Sequence, residues 1–407
     1  MPQILKPRAT KDVEDAIQWA LGEGVAMSVV GHGSKAMIGR PVEAEITLDL
    51  SGLSGITLYE PNELVLSAKA GTPLSEIHAA LTRENQELAF EPPEYAFALG
   101  GVASGGTIGG VIAANLSGPR RIKAGAARDH FLGVNAVSGR GEIFKSGGRV
   151  IKNVTGYDLC KLLAGSFGTL AVMTDMTFKV LPRAETERTL ILSGLDDAKA
   201  ASAMAAAMAS VSDVSSAAHV PARVARHVTA TGGGNAAITA LRLEGVAASM
   251  DHRAKLLQST LISFATGSLL PEPESRAVWQ TVRDLTPLSR KEGEDCPLWR
   301  LSTAPLNGHR AAAQIAARID ADVMYDWAGG LVWVALPPSD DASAALVRAA
   351  LRGLGGHATL MRAPASVRAA VDAFEPQDAA TAALTKQVKA GFDPKGVLNP
   401  GRMYAGV

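Results

Sequence analysis

From residue 10 to 23 apolar positions recur at helical spacing, with Val13, Ile17, Trp19, Ala20 and Leu21 mostly on one face and Thr10 suited to the N-cap. Gly22 and Gly24 end that helix, and the run VAMSVV (25–30) predicts a short buried strand leading into GHGSK. Between 44 and 85 short strand-like segments alternate with turns, ahead of a helix around 73–84. A second short helix is expected around 157–164, with Leu159, Leu162 and Leu163 on its buried side. TLAVMTDMTFKVLP (169–182) has a strong strand pattern, punctuated by Pro182. Beyond it the texture changes. DDAKAASAMAAAMASV predicts an alanine-rich packing helix, and strand and helix segments then alternate to about residue 372. The tail, FDPKGVLNPGRMYAGV (392–407), is loop-like. The order predicts an α+β chain rather than a βαβ repeat.

Composition narrows the function classes. The 407 residues are 47% hydrophobic and 20% charged, enough for a sizeable core and more than one domain. Forty basic residues balance forty acidic ones, so no global field argues for nucleic acid or an anionic membrane surface. The two cysteines, Cys160 and Cys296, have no metal-ligand spacing, and the isolated late histidines His219, His227, His252, His309 and His357 add none, so no metal is expected. The N-terminus lacks the pattern of a signal peptide, and no apolar run approaches the roughly 18–20 residues of a membrane span.

Glycine is the local anomaly: 16 of the 41 glycines lie between residues 100 and 168. In GHGSK, the residues Gly31, His32, Gly33, Ser34 and Lys35 follow a buried strand and present successive backbone N–H groups, as an anion-binding nest or an ordinary glycine turn does. The dinucleotide fingerprint is absent there, and GLGGHA (353–358) follows a helix and precedes a strand, the reverse of the required context. In GGTIGGVIAAN, the residues Gly106, Thr107, Gly109, Gly110 and Ala114 allow close backbone approach to a flat, extended ligand. Arg120, Arg121, Lys123 and Arg128 follow with no local acid, which suggests a large anionic ligand. Gly165, Ser166, Gly168 and Thr169 make a tight turn into a buried strand. In CPLWRLSTAP (296–305), alternation sets Leu298, Arg300 and Ser302 on one face, and Arg300 is a candidate carboxylate clamp or an interface ion pair.

The succession GHGS, TIGG...AAN, RD..LG and KN.TGYDL..LL.GS.GTL resembles the PCMH-type FAD-binding domain of the vanillyl-alcohol-oxidase superfamily over residues 4–183. DPKGVLNPG (393–401) resembles the C-terminal signature of its 2-hydroxy-acid oxidoreductases, and SGPRR...GAARDHFLG resembles the FAD-binding subunits of bacterial glycolate oxidases. The resemblance implies a two-lobed FAD domain over 1–183, a smaller α+β cap domain over 184–375, and a tail over 376–407 that returns to the FAD domain. It puts the pyrophosphate over Gly31–Lys35, the ribityl and phosphate path along Thr107, Gly109, Gly110 and Ala114, and the flavin ring or adenine near Gly165, Ser166, Gly168 and Thr169. Because His32 lies one residue before the position that carries flavin in covalent members, the FAD is expected to be non-covalent. The implied activity is oxidation of a small 2-hydroxy acid such as glycolate, inside a complex with a catalytic FAD subunit and an iron–sulfur subunit. The implied location is the cytoplasm, peripheral to the inner membrane through partners. A self-sufficient FAD dehydrogenase, for instance for D-lactate, and a degenerate flavin-fold scaffold are the alternatives. The family's histidine-rich signature is missing here, so no catalytic base is assigned.

Overall fold

A computed structural model of the chain describes residues 3–100, 105–149, 156–228, 234–289 and 295–407. The start of KN.TGYDL, residues 152–155, lies outside the described residues. Three strands, Gln3–Leu5, Ile46–Asp49 and Met27–Val30, form a small parallel sheet with 46–49 in the middle. An antiparallel five-stranded sheet follows in the order Ile56–Glu60, Val65–Lys69, Ala171–Lys179, Phe131–Ser138, Ile143–Gly147. Leu181–Pro182 pairs with Gln86–Glu87.

From Thr186 onward the strands belong to one antiparallel eight-stranded sheet. Its order is Gly267–Leu270, Thr186–Ser193, Ile238–Gly245, Val214–Val220, Asp322–Asp326, Leu331–Ala335, Leu298–Ser302, His357–Arg362. Period-two alternation gives this sheet two different faces. Leu190 and Leu192 pack under the helices Asp197–Ala209 and Ala247–Leu261, and Trp299 and Leu301 pack under Gly308–Ala316. Ile191, Leu298, Met324 and Trp333 point the other way, into the same core as Ile108, Val111 and Leu163 of the glycine-rich region. The sheet therefore lies face-on against that region, and its uncovered polar positions open onto it.

The helix Thr10–Glu23 buries Val13, Ile17 and Ala20, but Trp19 is exposed. Its N-cap is Ala9 rather than Thr10, because Asp12 accepts from the Ala9 N–H at 3.0 Å while the Thr10 hydroxyl donates to Thr174 at 3.1 Å. The second short helix spans Leu159–Leu163 and buries Cys160 and Leu163, not Leu162, which faces outward. The tail is held by a small polar knot. Asp393 accepts from the N–H groups of Val397 and Leu398, and buried Lys389 donates to Asp393 and to the carbonyls of Thr169 and Leu398. Asn399 then accepts from Val29 N–H and donates to Phe167 O, both at 2.8 Å.

Candidate functional site

The strand Met27–Val30 ends at Gly31, and the loop to Lys35 turns beside the short helix Ile108–Ala113. Thr107 caps that helix, its hydroxyl accepting from Gly110 N–H at 3.2 Å. The two segments touch so closely that a Cβ on Gly31 would lie 2.5 Å from Thr107 Oγ1. A cleft lies between them. Gly31, His32, Gly33, Ser34 and Lys35 wall one side, and Thr107, Gly109, Gly110 and Ala114 the other. Gly168 and the tail residue Arg402 complete it. Gly106 lies against the Lys35 ammonium, where its own Cβ would come within 2.8 Å of Nζ.

Not every expected residue meets this cleft. Ser166 and Thr169 are outside its lining, because the Ser166 hydroxyl donates to Leu163 O and the Thr169 hydroxyl to Ser166 O, closing their own turn. With Gly165 they line a separate cavity of about 310 Å³ under the helix Ala379–Phe392. The basic run 120–128 is not the charge reserve that its sequence suggests. Arg120 pairs with Glu87, Glu91 and Glu244, Lys123 pairs with Asp213, and Arg128 lies 3.8 Å from Asp129. Apart from Asp129, the acids come from distant parts of the chain.

The cleft's own cations are Lys35 and Arg402. Lys35 donates to Ser34 Oγ at 3.1 Å, and burial lowers its pKa to about 8. Buried, incompletely paired cations between glycine walls fit an anionic, elongated group, so the residues present suit FAD. His32 Nδ1 stands 3.3 Å from Gly105 O.

A second cavity, of about 370 Å³, adjoins the first: Ala114 and Phe167 line both. Its floor is the open face of the eight-stranded sheet, where register sets Arg300 beside Thr359 and Ser302 beside His357. Asn115 and Arg121 come from the glycine-rich side, and Met403 and Tyr404 from the tail. Two guanidiniums lie over the Trp327 ring, with Arg121 Cζ at 4.2 Å and Arg300 Cζ at 5.1 Å from its centroid. Among the described residues neither arginine has a carboxylate partner. Burial depresses the pKa of both; Arg128 lowers that of Arg121 further, and Arg121 that of Arg300. Of the late histidines, His219 is a satisfied core residue, bound to Thr239 and Asp197. His357 instead opens to this cavity, its pKa lowered by burial and by Arg300, so its ring is neutral near pH 7. Trp327, His357 and Arg402 carry no local sequence signal for these roles; only the register of the sheet and the return of the tail bring them in.

Trp327 and Ala328 have positive φ, 50° and 57°, a strained turn for residues with side chains. It is held by Asp326, which accepts from Trp327 N–H at 2.7 Å, and by the Trp327 indole N–H donating to Gly118 O at 3.0 Å. Burial, together with the nearby Glu91, raises the Asp326 pKa to about 7. A carboxyl whose folded pKa is raised stabilises the fold below its unfolded pKa of about 3.9, and that contribution is lost as pH rises through about 7. Asp326→Asn keeps the acceptor and removes the titration. The fall in Tm between pH 5 and pH 8.5 is expected to be smaller in the variant than in the parent by several degrees. Parallel Tm–pH curves would refute the assignment.

The chain matches the family model described as "FAD binding domain" over residues 1–147. It is 32% identical to the glycolate oxidase subunit GlcE of Escherichia coli over 395 residues, 96% of each chain. Matches to the Bacillus subtilis glycolate oxidase subunit GlcD (29%) and the Archaeoglobus fulgidus D-lactate dehydrogenase (32%) cover 46% and 44% of this chain, and 38% and 39% of those proteins. The structure of p-cresol methylhydroxylase with substrate bound superimposes with a TM-score of 0.74 at 13% identity, over 99% of this chain and 88% of that one, which establishes the PCMH-type fold. Across its whole length, therefore, the chain belongs to the family of FAD-linked oxidoreductase subunits that includes the glycolate oxidase subunit GlcE.

Proposed function

We propose that this chain is the FAD-carrying subunit of a glycolate (2-hydroxy-acid) dehydrogenase complex, oxidising glycolate to glyoxylate and passing electrons to partner subunits. A catalytic FAD subunit and an iron–sulfur subunit are the partners that fit. The described residues contain no group of three or more metal-binding side chains, so a cluster would sit on another chain. No helix among them is long and apolar enough to cross a membrane, and we place the chain in the cytoplasm, at the inner membrane only through its partners.

The observation that carries this reading is the pair of carboxylate-free guanidiniums, Arg121 and Arg300, facing Trp327 in a cavity that shares walls with the glycine cleft. A small anion bound there lies next to the cofactor. When bound, FAD supplies the hydride acceptor. Gly31–Lys35, Thr107, Gly109, Gly110 and Ala114 would hold its extended part without a covalent link, with Gly165, Ser166, Gly168 and Thr169 shaping the turn behind it. Arg300 would take the substrate carboxylate as a fork, with Arg121, also over the indole ring, adding charge. The neutral imidazole of His357 is the group in the cavity suited to receive the hydroxyl proton. Trp327, Phe374 and Tyr404 narrow the cavity and limit water.

Arg300→Met in the assembled complex tests this. Loss of a charge-assisted bidentate contact is worth about 2–3 kcal/mol, so KM for glycolate should rise roughly 30- to 150-fold with flavin content unchanged. An unchanged KM would remove the substrate role from this cavity.

A further inference from the structure

Arg402 is 8% exposed and lines the glycine cleft, yet it has almost nothing to bind. Its Nη2 donates to Lys35 O at 3.0 Å, and its Nε is buried without an acceptor. Its charged neighbour is another cation, Arg368, which donates to the carbonyls of Ala363 and Gly39. Burial first, and Arg368 second, lower the Arg402 pKa to about 10. A guanidinium has five donors in a rigid fork, and leaving a buried one, the Nε–H, idle is costly. The chain nevertheless builds this arrangement with care. Asn399, three residues earlier and at φ 42°, ties the tail to Val29 and Phe167, the residues flanking the cleft on either side. A Cβ on Gly168 would lie 2.9 Å from the Asn399 amide, so the turn also leaves room for that clip. Lys35, the second cation short of acceptors, belongs to the loop whose carbonyl Arg402 holds.

We infer that Arg402 binds a phosphate of the dinucleotide together with Lys35, so that the C-terminal tail is a latch closed by the cofactor's phosphates and not by its ring. The inference rests on the FAD reading and adds to it a residue from the far end of the chain, 367 positions from Lys35. A phosphate at that position would satisfy both cations at once and tie residues 399–407 to the GHGSK loop.

The test separates phosphate from ring. Binding of FAD and of riboflavin, which lacks phosphate, is measured by flavin fluorescence on the full-length apo chain and on Arg402→Met and Arg402→Lys. Arg402→Met should weaken FAD about 10- to 100-fold and change riboflavin less than about twofold, while Arg402→Lys, which keeps the charge, should recover most of the loss. Hydrogen exchange on the unaltered chain provides the second readout: amides of 397–407 should exchange more slowly with FAD and not with riboflavin. Unchanged FAD affinity in Arg402→Met, equal losses for both ligands, or equal protection by both would each overturn the latch. If the unaltered chain bound neither flavin, the cofactor reading itself would fall and the latch with it.

Discussion

Arg242→Met is expected to lower stability by about 3–5 kcal/mol, with a fall in Tm of about 10 °C and sharply reduced soluble yield. Arg242 is 1% exposed and lies on the strand Ile238–Gly245 of the eight-stranded sheet. It donates from both terminal nitrogens to Glu91, at 2.8 and 2.7 Å, and from Nη2 and Nε to Ser216, at 2.7 and 3.1 Å. Its Cζ sits 4.6 Å over the ring of Trp279. Burial alone would raise the Glu91 pKa, but Arg242 and Arg120 together bring it down to about 2. Removing the arginine leaves Glu91, Glu244 and Glu187 clustered around an apolar side chain, with Arg120 alone to offset them. Several kcal/mol of that loss is the cost of a stranded buried charge and not the worth of the pair. The double variant Arg242→Met/Glu91→Leu should therefore recover part of it, a coupling that thermal unfolding of the four proteins would read. A Tm within about 2 °C of the parent in Arg242→Met would contradict the picture of a buried lock between the two faces.

That lock also shows where sequence reading ran out. GHGSK and TIGG...AAN each announced an unusual backbone, and the structure brings them together as two walls of one cleft. Arg300 was legible because period-two alternation in CPLWRLSTAP sets it on the face opposite Trp299 and Leu301. The arginines of 120–128 misled, because local freedom from acid says nothing about a fold that delivers Glu244 and Asp213 from more than 85 residues away. Among the described residues Arg121 has no carboxylate partner, and it lines the neighbouring cavity. His357 looked like any isolated histidine, since only its pairing with Ser302 aims it at Arg300. Arg402 lies one residue beyond DPKGVLNPG (393–401), a motif whose resemblance speaks for the tail's return and assigns no role to the arginine that follows it. Local chemistry was readable wherever the backbone itself was the signal. Side chains that meet across the two faces were not, because their neighbours are set by register and by the path of the tail.

The glycines themselves divide into two kinds, and one substitution tells them apart. Gly109 was read as a position that lets backbone approach a ligand, yet a Cβ there would lie 2.6 Å from Ala70 O and 2.9 Å from Ala70 Cβ. Gly109 N–H donates to that same carbonyl at 2.9 Å, Ile108 N–H donates to Thr72 O at 3.0 Å, and Leu74 N–H to Gly106 O at 2.9 Å. The segment 106–109 is thus laced onto residues 70–74, and Ala70 directly follows Val65–Lys69, an inner strand of the five-stranded sheet. Neither side can retreat cheaply. Gly109→Ala should cost about 1–3 kcal/mol through backbone displacement and, by shifting Thr107 and Gly110, weaken FAD by roughly 100-fold or more. Gly22 is the control: it lies in the helix Thr10–Glu23 with nothing within 4 Å of its Cβ position, so Gly22→Ala should stabilise by about 0.5–1 kcal/mol and leave flavin content untouched. The measurements are Tm and the flavin-to-protein absorbance ratio of each purified variant. If Gly109→Ala retained its full flavin complement and parental Tm, the demand for glycine there would not come from the protein's own backbone. Loss of both, beside an intact Gly22→Ala, would mean that this part of the cradle is shaped first by chain-to-chain contact and only then by what it holds.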